Sequence, residues 1–188
     1  KKKHIMKIVK TKHRMATLTF PIKDRSALMA LKMDKVVAGF INGFGGKPEK
    51  NDKSWEITAL RELYEETGKG MLGYEKDLVF CARMTFYFYR KKNPSFEVLI
   101  YTLHKWIGKP TSTIEMKNPR WHSFKNKKDR EKIYSKMMPQ NGQFMDLVVN
   151  GLLKWFKQRT VGFQIKEKAV LCSKISPTDK NHLGTISN

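Results

Sequence analysis

The stretch from Gly45 to Gly68, GGKPEKNDKSWEITALRELYEETG, decides how the rest of the chain is read. In its second half Leu60, Leu63, Tyr64 and Thr67 fall at the spacing of one buried stripe, which predicts a helix over Ser54 to Thr67. Asp52 or Ser54 is the cap such a helix needs, and Gly68 is its stop. Glu62, Glu65 and Glu66 stand at i, i+3 and i+4, so three carboxylates share one helical face. Like charges at that spacing repel, and a local cation or a bound metal offsets the repulsion. Hard oxygen ligands of this kind suit Mg²⁺ or Mn²⁺, shared with phosphate oxygens of a substrate. Arg61, four residues before Glu65, is placed to brace that carboxylate. Glycines 39, 43, 45 and 46 punctuate the loop ahead of the helix, where backbone N–H groups approach an anion closely beside the helix N-terminus. Three glutamates alone read more simply as a solvated face. Their setting in a strongly basic chain, bracketed by glycines, favours chemistry.

Working outward, Met15 to Phe20 and Ser26 to Leu31 read as two short strands about a Lys23-Asp24-Arg25 turn. Pro21 favours an edge or strand-end position for the first. Val79 to Tyr89 and Phe96 to Trp106 are β-rich runs separated by Arg90 to Pro94, a long hairpin, and Arg120 to Phe124 is a short further strand. Phe144, Leu147, Val148, Leu152, Trp155 and Phe156 mark a second amphipathic helix after Pro139, with Asn141 as its cap. Val161 to Leu171 reads as a last strand. Strands and helices in this order predict a mixed α/β layering with helices packed on sheet faces. The expected organisation is a basic arm over 1–12, one domain over 13–171 and a polar tail over 172–188. The run Lys125 to Lys132 reads as a solvated loop or helix face, and His13, His104 and His122 lack metal spacing.

The 188 residues suit one domain, and 40% apolar with 11% aromatic content excludes wholesale disorder. Thirty-eight Lys plus Arg against 17 Asp plus Glu leave +21, which predicts attraction to nucleotides, nucleic acid or acidic surfaces, unless it is compositional bias alone. Two cysteines, Cys81 and Cys172, exclude a disulfide framework and a four-thiolate zinc site. No apolar run approaches the roughly 20 residues of a membrane span. The expectation is a soluble, cytoplasmic protein, with nuclear and mitochondrial shares left open.

Arg61-Glu62-Leu63-x-Glu65-Glu66-x-Gly68, preceded by Gly46, resembles the Nudix box, the signature of hydrolases acting on nucleoside diphosphates linked to another group. The interval from Gly46 to Arg61 is one residue longer than in that pattern. The early glutamate of the box is replaced by the Asp52-Lys53 region, and Lys69 stands where an apolar residue is expected. The resemblance implies an α/β/α sandwich with a mixed sheet between helices. It also implies a metal set of Glu62, Glu65, Glu66 and Glu115 with the Gly46 carbonyl, Arg61 as orienting residue, and a monomer.

Beyond the box, residues 13 to 165 are similar to the animal-type 8-oxo-dGTP diphosphatases. Asn42 to Lys47, Thr85 to Phe88, Glu115-Met116 ahead of Pro119 and Trp121, and Met137 to Asn141 carry that likeness. It implies substrate contacts from Thr17, Lys32, Asn42, Gly45, Gly46, Lys47, Phe86, Met138, Gln140 and Asn141. Where that branch has a Trp and two aspartates in its base-reading loop, this chain has Met138, Gln140 and Asn141. Amides present one donor and one acceptor and cannot change role by titration, as carboxylates can. The expected activity is Mg²⁺-dependent cleavage of oxidised purine nucleoside triphosphates to monophosphate and pyrophosphate. The alternatives are action on RNA 5′ ends, and a non-catalytic nucleotide- or RNA-binding module.

Overall fold

In the computed structural model of the chain, residues 14–33, 38–88, 96–138, 141, 145, 148–149, 159–166 and 169–171 are described. Their element order is β1 (Arg14–Lys23), β2 (Ser26–Lys32), β3 (Ile41–Asn42), α1 (Trp55–Glu66), β4 (Met71–Gly73) and β5 (Leu78–Phe88). Then follow β6 (Phe96–Leu103), β7 (Trp106–Gly108), β8 (Met116–Ser123), α2 (Lys127–Tyr134), β9 (Arg159–Lys166) and β10 (Ala169–Leu171). The main sheet runs β10-β9-β5-β6-β1-β2-β3, with β8 also on β2, and β4 pairs with β7 apart from it.

The β1–β2 hairpin forms as expected. Asp24 and Arg25 both take left-handed backbone, φ 50° and 57°, the two-residue turn whose twist matches the paired strands. Pro21 corrects the edge expectation: it sits inside β1, between β6 and β2 in the sheet. Parallel pairing to β6 runs as far as Pro21↔Leu103, and pairing to β2 begins at Ile22↔Ala27. The missing N–H therefore falls where β1 changes partners. β5 and β6 make the long hairpin, in register from Leu78↔Leu103 to Phe86↔Phe96.

Two strand expectations are revised. The strand read at Arg120 to Phe124 is the end of a longer one, β8, that starts at Met116. The last strand is two, β9 and β10, paired antiparallel, with β9 parallel to β5. The run Lys125 to Lys132, read as a solvated loop or helix face, is a helix from Lys127 with its side chains largely in solvent, and Asn126 accepts the Asp129 N–H at 2.8 Å as its cap. For the second amphipathic helix, Asn141, Met145, Val148 and Val149 have helical backbone; Pro139, Phe144, Leu147, Leu152, Trp155 and Phe156 lie outside the described residues. So do the 1–12 arm, His13, Cys172 and the tail.

Strand alternation sorts the core into two layers. Leu18, Phe20, Met29, Met84 and Ile100 face one side, where Ile133, Met145, Val148 and Val149 cover them. Leu28, Ala30, Leu99, Tyr101 and Leu103 face the other, against Trp55, Ala59 and Leu63 of α1. The sheet thus lies between helical layers. His122 is buried, and burial with Arg120 and Lys136 nearby pushes its pKa down to about 4, so it is neutral at pH 7. No helix among the described residues is long and apolar enough to cross a membrane.

Candidate active site

Helix α1 carries the acidic face, and both its ends are fixed by side-chain chemistry. Ser54, not Asp52, is the N-cap: its hydroxyl accepts the Ile57 N–H at 3.1 Å. At the other end Gly68 takes φ +68°, its N–H bonding the Glu65 carbonyl at 3.0 Å and that of Lys69 the Tyr64 carbonyl at 2.7 Å. This pair of bonds closes the helix in a left-handed stop, which a side chain at Gly68 would strain. The buried face of α1 is Trp55, Thr58, Ala59, Leu63 and Glu66, followed by Thr67 in its cap. Of the predicted stripe, Leu60 and Tyr64 are only partly covered.

Asp52 has another task. Its carboxylate accepts from Arg61 Nε and Nη2 at 3.2 and 3.0 Å, from the Thr58 hydroxyl at 2.9 Å and from the Glu49 N–H at 2.9 Å. Burial alone would raise its pKa, but Arg61, Glu49 and Thr58 together hold it below the usual carboxylate range. The aspartate thereby supplies a carboxylate brace for Arg61 in the region where the resembled pattern has its early glutamate. The one-residue-longer loop still delivers an acid to the arginine.

Arg61 in turn distributes its donors. Nη1 meets Glu65 Oε2 at 3.0 Å, and Nη2 meets Glu62 Oε1 at 3.1 Å and the Lys47 carbonyl at 2.9 Å. Lys32, the last residue of β2, pairs with Glu66 Oε1 and lies 3.8 Å from Glu115 Oε2. The other Glu66 oxygen accepts the Gly45 N–H at 2.6 Å.

The two glycines are crowded differently, Gly45 by backbone and Gly46 by the flexible end of Glu62. A Cβ on Gly45 would lie 2.1 Å from the Thr17 carbonyl oxygen, and one on Gly46 would lie 2.5 Å from Glu62 Oε1. Gly46's carbonyl accepts the Thr17 N–H at 2.8 Å and faces the Thr17 hydroxyl at 3.5 Å, tying the loop to β1.

These residues surround an open cleft of about 710 Å³ lined by Lys32, Gly45 to Glu49, Arg61, Glu62, Glu65, Glu66 and Thr113 to Glu115. Five carboxylates face three cations there, in a chain carrying +21. Burial raises Glu62 to about 7, with Glu66 and Glu65 adding to the rise and Arg61 opposing it. Burial also raises Glu66, against the pull of Lys32 and the Gly45 N–H. Carboxylates that burial makes resist ionisation, beside a glycine loop packed against Thr17 and Glu62, fit an oxygen-ligated divalent cation. Among the described residues, however, no three acidic side chains close into a preformed metal cage. Their oxygens are turned towards Arg61, Lys32 and Gly45 instead.

The other predicted residues fall elsewhere. Asn42 and Asn141, far apart in sequence, meet: Asn141 Nδ2 donates to Asn42 Oδ1 at 3.2 Å, and Asn42 Oδ1 also takes the Gly43 N–H at 3.0 Å. Asn42 pairs with Ala30 on β2, two positions from Lys32. The Met138 carbonyl accepts the Asn141 N–H at 2.8 Å. Thr17 is buried on β1, Phe86 lies on β5 opposite Phe96, and Gln140 lies outside the described residues. Thr58, Asp52 and the rim residue Ile114 were not predicted as site residues; Asp52 alone carried a signal, as the acid nearest the vacant box position.

A mixed sheet between helices, with a glutamate-bearing helix set against a glycine loop, is the architecture of the Nudix fold, and the family match with its hydrolase neighbours supports a hydrolase. The chain belongs to the NUDIX domain family, whose profile matches residues 12–140. No curated protein matches the chain by sequence. Among solved structures it is similar to a MutT protein from Bacillus halodurans, with a TM-score of 0.65, 15% identity, and coverage of 88% of this chain and 99% of that one. A bifunctional NMN adenylyltransferase/ADP ribose pyrophosphatase from Francisella tularensis, complexed with AMP and a Mn ion, aligns with a TM-score of 0.57 and 15% identity over 76% of this chain and 42% of that one. The NUDIX domain of Shewanella oneidensis NrtR, complexed with ADP ribose, aligns with a TM-score of 0.56 and 14% identity over 76% and 90%. Nudix hydrolases generally use divalent metals.

Proposed function

We propose that this chain is a Mg²⁺-dependent pyrophosphohydrolase of modified purine nucleoside triphosphates, 8-oxo-dGTP among them, with residues 13–171 as its working unit. One observation supports this above the others: the cleft gathers Glu62, Glu65, Glu66 and Glu115 beside Gly45 and Gly46 in an otherwise basic chain. Glu62, Glu65 and Glu66 hold the metal, with Glu115 at the rim. Bound there, Mg²⁺ neutralises phosphate oxygens and makes water more acidic. Water attacks one phosphorus of the α–β anhydride and the bond from that phosphorus to the bridging oxygen breaks. Attack at Pα puts the water oxygen in the nucleoside monophosphate and expels pyrophosphate, and attack at Pβ puts it in pyrophosphate and expels the monophosphate. A carboxylate, Glu115 or a box glutamate, takes the proton. Arg61 orients Glu62 and Glu65 and does not touch substrate. Asn42, Gln140 and Asn141 read the base by hydrogen bonds, and Phe86 and Met138 pack on it.

A second reading, action on triphosphorylated or capped RNA ends, is favoured by the +21 charge and by Trp121, 41% exposed and 5.4 Å from Trp106 between ring centroids. The test is pyrophosphate release from canonical and oxidised nucleoside triphosphates, ADP-ribose and 5′-triphosphorylated RNA, with and without Mg²⁺. Fastest turnover of an oxidised purine triphosphate is expected. Preference for RNA would establish the second reading, and binding without turnover of any of them would leave a non-catalytic module.

A further inference from the structure

Resting on that reading of the cleft, we propose that Lys32 is a resident cation which the entering metal displaces from Glu66, turning its ammonium into the open cleft. The charges of the cleft are already divided between two internal cations. Arg61 takes Glu62 and Glu65, while Lys32 takes Glu66 and reaches towards Glu115. The two cations are not equivalent. Arg61 is fastened by the Asp52 carboxylate and the Lys47 carbonyl, so it cannot leave without unfastening the loop. Lys32 hangs on one flexible arm from the end of β2, and among the described residues its ion-pair partners are the two glutamates.

The backbone beneath Lys32 is held in register, Lys32↔Met116, with the Met33 N–H on the Glu115 carbonyl at 2.8 Å. Only the side chain is free to swing. Glu66 is buried, and its second oxygen is already taken by Gly45, so a metal reaching this carboxylate meets the ammonium first. A dication and an ammonium on one buried carboxylate repel strongly, because little water screens them. The consequence is an ordered site: without metal the lysine is tucked against Glu66, and with metal it is turned into the open cleft.

The test uses the full chain and Mn²⁺ alone, with free Mn²⁺ read by electron paramagnetic resonance. Lys32→Met, confirmed folded by circular dichroism, is expected to bind Mn²⁺ about tenfold more tightly than wild type, since a competing charge has gone. Equal or weaker binding would overturn the proposal and leave Lys32 as a support for Glu66. Acetylation of wild type, followed by mass spectrometry, gives a second answer that needs no variant. Mn²⁺ should raise labelling of Lys32 at least about threefold relative to the exposed Lys50, as the ammonium leaves its carboxylate; unchanged labelling would also overturn the proposal. If Lys32→Met does not fold, the labelling decides. Wild type that takes up no Mn²⁺ would refute the reading of the cleft itself, a result distinct from a variant that binds no better than wild type.

Discussion

At one end of the cleft Arg61 grips Glu62 and Glu65 and is itself gripped by Asp52 and the Lys47 carbonyl; at the other, Lys32 meets Glu66 across β2 and α1, and the Gly45 N–H takes the second Glu66 oxygen. The first end is a closed network, local in sequence and partly open to water. The second rests on one close ion pair joining two elements, and its carboxylate is 5% exposed, against 16% for Glu62 and 47% for Glu65. A network of this kind fixes geometry, whereas a lone pair can exchange partners. The same charges therefore serve as a frame at one end and as a replaceable counter-ion at the other.

Glu66→Gln sharpens that contrast most, because it removes the buried carboxylate without changing its size. Turnover in a pyrophosphate-release assay should fall at least about 100-fold with the fold intact, a loss on the scale of a missing electrostatic group in an active site. Glu65→Gln, at the exposed end, should lose less. Near-normal activity in either variant would defeat its metal-binding role.

Asp52→Ala attacks the frame. Arg61 would lose its anchor, and breaking a charged pair in which Asp52 is 4% exposed should cost about 2–3 kcal/mol in urea unfolding. A change below about 0.5 kcal/mol, the usual size for an ordinary surface substitution, would show that the frame does not depend on this residue.

The third prediction concerns pH. Glu62 has a folded pKa of about 7 against the ordinary 4.5, so the folded protein holds its proton more tightly than the unfolded chain. Its contribution to stability is full below about 4.5 and is lost as pH rises through about 7. Between pH 5 and 8 the metal-free wild type should thus lose Tm relative to Glu62→Gln, and Mg²⁺ should restore it at the upper end. Parallel pH profiles for the two proteins would contradict this assignment.

The smallest effect expected is at the amide pair. Asn141→Ala removes the bond to Asn42 Oδ1 and should shift preference among purine triphosphates by up to about tenfold, the worth of one hydrogen bond, in competition kinetics. An unchanged profile would leave Asn141 a structural residue.

What could be read from the chain follows from the distance over which each feature is encoded. Helix α1, its glycine stop and the hairpins about Asp24 and between β5 and β6 rest on neighbours a few residues apart, and their periodicity showed them. Helix α2 buries only Ile133, so no apolar stripe announced it. β3, β4 and β7 are two or three residues long, too short for alternation to register. The early part of β8 was hidden by Pro119 and by Asn118, whose φ is +51°, residues that read as loop. In the site, the three α1 glutamates and Arg61 were legible for the same local reason. That Asp52 would brace Arg61, that Lys32 would seat on Glu66, and that Asn42 would face Asn141 depends on strand pairing and loop closure, which spacing along the chain does not carry.

The most direct measurement is anomalous diffraction from crystals of the full chain soaked in Mn²⁺. The account predicts a peak within bonding distance of carboxylate oxygens of Glu62, Glu65 and Glu66, with Lys32 turned away from Glu66. No peak there, with Arg61 and Lys32 still on their glutamates, would contradict it.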